Sequence, residues 1–296
     1  MKNYKSGFIS IVGRPNVGKS TLLNKILGEK IAAVSPKPQT TRTQITGVLT
    51  GEDAQLVFID TPGIHSPKNK LGKFMVKEAE QSTGEADVVL YMLDADNCNL
   101  EREAPILERI NAEIVFLIIN KIDKINKSEI LPIISDFSKL KEFTEIVPIS
   151  AINGDGTLGL VEIIKKYLPE GPKFFPDDTL TDQPERQICS ELIREKLMRV
   201  LNDEIPYGIA VVIESMKFDE KKELTSISAT IYCERDSHKA IIIGKNGAML
   251  KKIGTSARQD LQRFTQTKVF LELWVKVKEN WRNSDMQLKN FGYDEK

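Results

Sequence analysis

Five short runs in the first 170 residues are apolar almost without interruption: FISIV (8–12), LVFID (56–60), VVLYMLD (88–94), IVFLIIN (114–120) and EIVPIS (145–150). Runs of this length, rich in Val, Ile and Leu, read as strands buried on both faces, and helical patterns separate them. Strand and helix in alternation predict an α/β domain: a mixed, mostly parallel sheet with helices on both faces. Several of the runs end in Asp, Asn or Ser before a polar loop, and such carboxyl ends line the ligand crevice of an open α/β sheet. The pattern stops at LPEGPKFFPDDTLTDQPE (168–185), where Pro169, Pro172, Pro176 and Pro184 resist helix and sheet alike. Residues 1–170 are read as one domain, 171–185 as a Pro-rich linker and 186–296 as a second domain with a C-terminal tail.

The second domain has a different rhythm. SELIREKLMRVLNDE (190–204) keeps Leu192, Ile193, Leu197, Val200 and Leu201 on one helical face. IAVVIESMK (209–217) and SISATIYCE (226–234) read as strands joined by a charged turn. VFLELWVKV (269–277) alternates as a strand with one wet face. Between them a helical stretch holds Leu250, Ile253, Ala257, Leu261 and Phe264 at steps of three and four. The order predicts an α+β fold. Trp274 is expected in its core, and Trp281 is either a stacking surface for a base or a staple to the preceding domain.

Composition narrows the class. With 296 residues, 41% hydrophobic and 28% charged, the chain has the make-up of a soluble globular protein and excludes disordered, collagen-like and disulfide-miniprotein classes. No apolar run approaches the ~20 residues of a membrane span, and the start lacks the apolar core of a signal peptide. Cys98, Cys189 and Cys233 form no C-x-x-C, so reduced thiols in a cytoplasmic protein are expected. His65 and His238 are isolated and suggest neither a metal nor a general base. Forty-two basic residues balance 42 acidic ones. That neutrality is a sum: residues 235–282 carry eleven Lys and Arg against Asp236, Asp260, Glu272 and Glu279. A local field of that sign attracts phosphates.

The chemistry sits at the strand ends. GRPNVGKS (13–20) fits G-x-x-x-x-G-K-[ST] between a strand and a helix. Gly13 and Gly18 let the backbone wrap phosphates, Arg14, Pro15, Asn16 and Val17 complete the loop, and Thr21 follows it into the helix. Lys19 supplies charge for the β- and γ-phosphates and Ser20 a hydroxyl for Mg²⁺. DTPG (60–63) follows the second strand, placing Asp60 for Mg²⁺ and the Gly63 N–H for a γ-phosphate, with Thr61 and Pro62 between them. In NKID (120–123), the Asp123 carboxylate can accept both the N1–H and the amine of guanine. Asn120 braces the loop, and the Lys121 stem packs along the base. ISA (149–151) brings Ser150 and Ala151, with a backbone N–H for guanine O6. Four loops in this order, each at a strand end, specify GTP and GDP. Within AAVSPKPQTTRTQITG (32–47), Thr41, with Thr40 close behind, is the second hydroxyl for Mg²⁺. Lys19, Thr41 and Gly63 stand closest to the reacting phosphate. Ile64 occupies the place where many small GTPases carry a water-orienting Gln, so slow turnover is expected, stimulated by a partner or a cation. Asn16 is either a K⁺ ligand through its amide oxygen or a turn-stabilising residue.

In the second domain GKNG (244–247) lies between two helices, where a glycine turn lets a nucleic-acid backbone approach a helix N-terminus. Helix–strand–strand–helix–G-x-x-G–helix–strand is the order of a type II KH domain, an RNA-binding module. Ile243, Gly244, Lys245, Asn246, Gly247, Lys251, Lys252 and Arg258 are the candidate RNA-binding residues.

A single G domain with GRPNVGKS, QTTR, DTPGIH and NKID, then a Pro-rich linker and a KH domain, resembles the Era family of bacterial GTPases over essentially the whole chain. The resemblance implies a factor for assembly of the 30S ribosomal subunit and maturation of 16S rRNA that binds the 3′ end of that RNA through its KH domain. It also implies a monomeric cytoplasmic protein with peripheral contact to the inner face of the cell membrane, and no small-molecule substrate but GTP. A tRNA-modification GTPase would need a further catalytic domain, and a two-G-domain assembly GTPase a second GxxxxGK[ST]. This chain has residues for neither.

Overall fold

The computed structural model describes residues 4–64 and 67–293 and divides the chain into two compact units. The first comprises residues up to 32, 41–66 and 75–182; the second comprises 33–40, 67–74 and the chain from 183 onward. His65 lies outside the described residues.

In the first unit β1 (Lys5–Val12), β2 (Ile45–Thr50), β3 (Ala54–Asp60), β4 (Val88–Asp94), β5 (Val115–Asn120) and β6 (Glu145–Pro148) form one sheet, ordered β2-β3-β1-β4-β5-β6. Only β2 runs antiparallel to its neighbour; the remaining pairs are parallel. The sheet is buried on both faces, as its unbroken apolar strands require. Ile9, Ile11, Leu56, Phe58, Leu90 and Phe116 meet α1 (Lys19–Leu27) and α5 (Thr157–Tyr167) on one side. Tyr91, Leu93, Leu117 and Ile119 share a cluster with α2 (Lys70–Gly84), α3 (Leu100–Leu107) and α4 (Ile130–Ser138) on the other. The parallel order carries the C-terminal ends of β1, β3, β4, β5 and β6 to one rim, so the sequence-predicted loops converge there.

The Pro-rich stretch packs within the first unit along β2 and β3. Val48 N–H donates to the Leu180 carbonyl at 2.8 Å, Thr181 Oγ1 donates to the Thr46 carbonyl at 2.6 Å, and Gln55 bonds the backbone of Phe174 and Phe175.

In the second unit α6 (Glu185–Val200), β7 (Ala210–Asp219), β8 (Leu224–Cys233), α7 (Asp236–Ile243), α8 (Ala248–Thr265) and β9 (Lys268–Val277) follow one another, then α9 (Asp285–Asn290). The sheet is ordered β7-β8-β9, antiparallel then parallel. One sheet face and the helices share a core of Leu192, Ile193, Leu197, Ile227, Ile231, Ile253, Ala257 and Leu261. Trp281 is fully buried and donates its indole N–H to the Gly208 carbonyl at 2.9 Å, so it is not a stacking surface. Trp274 corrects the expectation of a core residue: it is 56% exposed. In β9 the inward positions are Val269, Leu271, Leu273, Val275 and Val277, which leaves Trp274 on the wet face.

Candidate functional site

The loop after β1 is built by glycine geometry. Gly13 has φ +149°, and a Cβ there would lie 2.2 Å from the Met92 carbonyl oxygen; Gly18 has φ +110° and opens α1. Both positions are closed to a side chain. Lys19, buried at the start of α1, reaches back to donate to the carbonyls of Gly13 and Arg14, each at 3.1 Å. Burial pushes its ammonium down to about 8, against the pull of Asp60 and Glu103.

Three oxygen-bearing side chains from separate segments converge beside it. Ser20 Oγ donates to Asp60 Oδ2 at 2.5 Å, and Thr41 Oγ1 lies 2.9 Å from Ser20 Oγ and 3.4 Å from Asp60 Oδ2. Asp60 Oδ1 is buried and accepts no hydrogen bond among the described residues. Burial lifts the Asp60 carboxyl to about 6, opposed by Lys19, Ser20 and Thr41. Hydroxyls and a carboxylate with an unsatisfied oxygen are the donor chemistry of a hard divalent cation. The two threonine candidates separate here: Thr40 Oγ1 donates to the Lys37 carbonyl at 2.7 Å and lies 3.0 Å from Ser35 Oγ, while Thr41 faces Asp60.

The D-x-x-G loop after β3 touches the first loop directly. Ile64 N–H donates to the Gly13 carbonyl at 3.2 Å, and a Cβ on Gly63 would meet Pro15 N at 2.6 Å. Thr61 is buried and spends its hydroxyl on the Ile11 carbonyl at 2.9 Å, bracing the loop. The Ile64 side chain is buried in the apolar cluster, so it offers no hydrogen bond to water.

Asn120, at the end of β5, ties three loops together. Its Nδ2 donates to the Val17 carbonyl at 2.7 Å and its Oδ1 accepts from the Ala151 N–H at 2.9 Å. Ser150 N–H donates to the Asp155 carbonyl at 3.0 Å. Ser150 Oγ donates to Asp123 Oδ1 at 2.6 Å, fixing one carboxylate oxygen. Lys121 is held in the left-handed region, φ +65°, and its Nζ donates to the Asn16 carbonyl at 2.8 Å and to Asp94. Asn16 itself has φ +66°, a turn conformation that Asn tolerates well.

Two acids have roles the sequence does not reveal. Asp94, one of the strand-end acids visible in the sequence, ends β4 and anchors Lys121. Glu103 on α3 is buried, accepts from the Tyr91 hydroxyl and lies 3.6 Å from Arg14 Nη1. Burial raises its carboxyl pKa, against the effects of Tyr91 and Arg14. A lone acid on an amphipathic helix gave no signal of that role.

In the second unit α7 ends at Ile243, and Gly244 turns with φ +72°; a Cβ there would lie 2.7 Å from that of Met249. Asn246 has φ +51°, and Gly247 opens α8 without a side-chain cap. Lys245, Asn246, Lys251, Lys252 and Arg258 are exposed around this turn, while Ile253, Ala257 and Leu261 bury the opposite face of the helix.

A phosphate loop, a D-x-x-G loop and two guanine-type loops on one sheet rim, in a chain that goes on to a G-x-x-G turn between two helices, define a P-loop GTPase carrying a KH domain. Family comparison agrees: the model described as "50S ribosome-binding GTPase" matches residues 8–121 and the KH domain model matches 204–282. GTPase Era of Clostridioides difficile is 54% identical over 296 residues, covering 99% of this chain and 100% of the relative. GTPase Era of Ruminiclostridium cellulolyticum is 52% identical, with 98% of each chain covered. Among solved structures, Aquifex aeolicus Era bound to GDP·AlF4⁻ superposes with a TM-score of 0.94 at 45% identity, covering 98% of this chain and 100% of that one. Era in complex with MgGDPNP and nucleotides 1506–1542 of 16S ribosomal RNA gives 0.93 at 44% identity, covering 99% and 100%. The chain belongs to the Era family of GTPases. It binds and hydrolyses GTP. Among the described residues, no helix is long and apolar enough to cross a membrane.

Proposed function

We propose that this GTPase acts in assembly of the 30S ribosomal subunit and maturation of 16S rRNA, binding the 3′ end of that RNA under nucleotide control. Residues 1–170 are the switch domain, 171–185 the linker and 186–296 the RNA-binding domain. In the G domain Ser20, Thr41 and Asp60 hold Mg²⁺, which neutralises charge on the phosphates when bound. Gly13 to Thr21 cradle the phosphates, Asp60 to Ile64 sense the γ-phosphate, and Asn120, Lys121, Asp123, Ser150 and Ala151 surround the base. In the KH domain Ile243 to Gly247, Lys251, Lys252 and Arg258 engage the RNA backbone. The description of the first family model names the large subunit, but the relative solved with RNA holds 16S, the RNA of the small one, which favours the 30S reading.

The observation that carries the nucleotide control is how the chain from 33 to 41 is held. Residues 33–40 pack within the second unit. Val34 N–H donates to Glu195 Oε2 at 3.1 Å, Arg199 Nη2 donates to the Val34 carbonyl at 2.8 Å, and the buried Arg194 donates to the Thr40 carbonyl. The next residue, Thr41, turns its hydroxyl to Ser20 and Asp60. One peptide bond therefore joins a backbone held by α6 to a hydroxyl that ligates the cation. Any pull on Thr41 by Mg²⁺ and a γ-phosphate reaches α6, and hydrolysis relaxes it. Titrating the 16S 3′ segment and small subunits into GTP-bound, GDP-bound and nucleotide-free protein tests this. Three equal affinities would overturn the coupling.

Changing both Lys245 and Asn246 to Asp is expected to abolish RNA binding in a gel-shift titration while hydrolysis stays within about twofold, because the turn is exposed and remote in sequence from the G loops. Ile64 makes intrinsic hydrolysis slow, and we infer that K⁺ held through Asn16 speeds it. Phosphate release is expected to be faster in KCl than in NaCl, with Asn16→Ala erasing the difference. Equal rates in the two salts would leave Asn16 a turn residue only.

A further inference from the structure

The helices α6, α7 and α8 cover one face of the β7-β8-β9 sheet, and the other carries an unusual surface. On β9 the outward side chains are Lys268, Phe270, Glu272, Trp274 and Lys276, with Lys278 just beyond the strand. Phe270 and Trp274 are 59% and 56% exposed. Four residues apart on one strand, they stand about 13 Å from each other. The neighbouring strand places Ser226 beside Phe270, Ser228 beside Glu272 and the buried Thr230 beside Trp274, and β7 adds Lys217 across from Ser226. Ser228 Oγ donates to Glu272 Oε2 at 3.3 Å, orienting the carboxylate between the two rings.

We propose that this open sheet face is a second RNA-binding site, a stacking platform for unpaired bases, separate from the G-x-x-G turn. Phe270 and Trp274 each stack one base, a contact open to every base because each has a π face. Lys217, Lys268, Lys276 and Lys278 flank the rings and meet the phosphates. Glu272 lies where a phosphate would be repelled but an exocyclic amine is welcome. An acceptor-only carboxylate there favours adenine and cytosine, whose N6 and N4 groups donate. The central acid and the Ser226 and Ser228 hydroxyls favour a nucleic acid over an acyl-chain surface, which would leave them unsolvated. The platform rests on the RNA-binding reading above. It also answers a question of size: a G-x-x-G loop clamps about four nucleotides, whereas the relative solved with RNA holds nucleotides 1506–1542.

The chain has two tryptophans, and one of them is buried, so Trp274 is its own reporter. An unstructured RNA oligonucleotide of adenine and cytosine, titrated into the full chain, is expected to quench emission in the wild type and not in Trp274→Phe. By anisotropy, Trp274→Phe should keep most of its affinity because the ring remains. Changing both Phe270 and Trp274 to Ala should weaken binding roughly tenfold or more per ring, with GTP hydrolysis and thermal midpoint unchanged because both side chains are exposed. Undiminished affinity in the double variant would overturn the platform. So would anionic phosphatidylglycerol vesicles shifting Trp274 emission while RNA leaves it untouched, an outcome assigning the face to a lipid surface. If the wild type binds neither this oligonucleotide nor the 16S 3′ segment, the RNA-binding reading falls with it. If it binds both, and only the Lys245 and Asn246 variant is impaired, the platform alone fails.

Discussion

Asp123→Asn exchanges the preference for guanosine nucleotides for one toward xanthosine nucleotides. The carboxylate has one oxygen already fixed by the Ser150 hydroxyl at 2.6 Å, which orients the group at the rim of the base loop. An ionised carboxylate only accepts, and guanine offers two donors on the edge it would meet. An amide presents a donor at one of its two positions, so one hydrogen bond to guanine becomes a donor–donor clash. Xanthine carries a carbonyl in place of the amine and restores the match. Sites that hydrogen-bond a polar edge reject a mismatched one by large factors, and GTP affinity is expected to fall roughly 10³-fold or more. Equilibrium competition between GTP and XTP reads the change directly. An unaltered GTP preference would remove Asp123 from base recognition.

Lys19→Met is expected to cut GTP hydrolysis roughly 10²- to 10³-fold, the usual loss when one preorganised positive group leaves the developing charge. The same substitution carries a second signature, in stability. Lys19 is buried, and loss of solvation lowers its pKa to about 8 from 10.5. Between those values the unfolded chain binds more proton than the folded one, so this residue's contribution to stability rises with pH. Below about pH 8 its burial penalty is present in full; above about 10.5 it is relieved. Urea midpoints of the nucleotide-free protein at pH 8 and pH 10 should therefore differ between wild type and Lys19→Met, the wild type gaining relative to the variant at the higher pH. Parallel midpoints would mean that the amine is solvated rather than buried in the loop.

Much of the site was legible because glycines and strand-end acids are punctuation with one physical cause each. Gly13, Gly18 and Gly244 all take positive φ, and a local motif suffices to find them. Strand β2, ITGVLT, is short, holds a glycine and follows a polar loop, so neither run length nor alternation marks it in the sequence. The helix read from residue 190 begins at Glu185, because Pro184 serves as its N-terminal boundary rather than belonging to a break. For Trp274 the information was present. Glu272 and Lys276 fix the wet parity of VFLELWVKV, and Phe270 and Trp274 share that parity, so register outweighs the usual burial of tryptophan. Arg194, Glu195 and Glu103 were not legible at all. Their partners, Thr40, Val34 and Arg14, lie far away in sequence, and only the fold brings such pairs together.

The segment from Phe174 to Thr181 lies along the outermost pair of strands in the first unit and offers the Leu180 carbonyl to Val48. An unpaired strand at the margin of a sheet is a template for another chain, and proteins cover, shorten or charge such margins to stay apart from their copies. Here Pro176 serves that end as well as punctuation, since a cover that cannot itself become a strand cannot pass the pairing on. A fragment cut before this segment would keep every nucleotide loop and lose its protection against self-association.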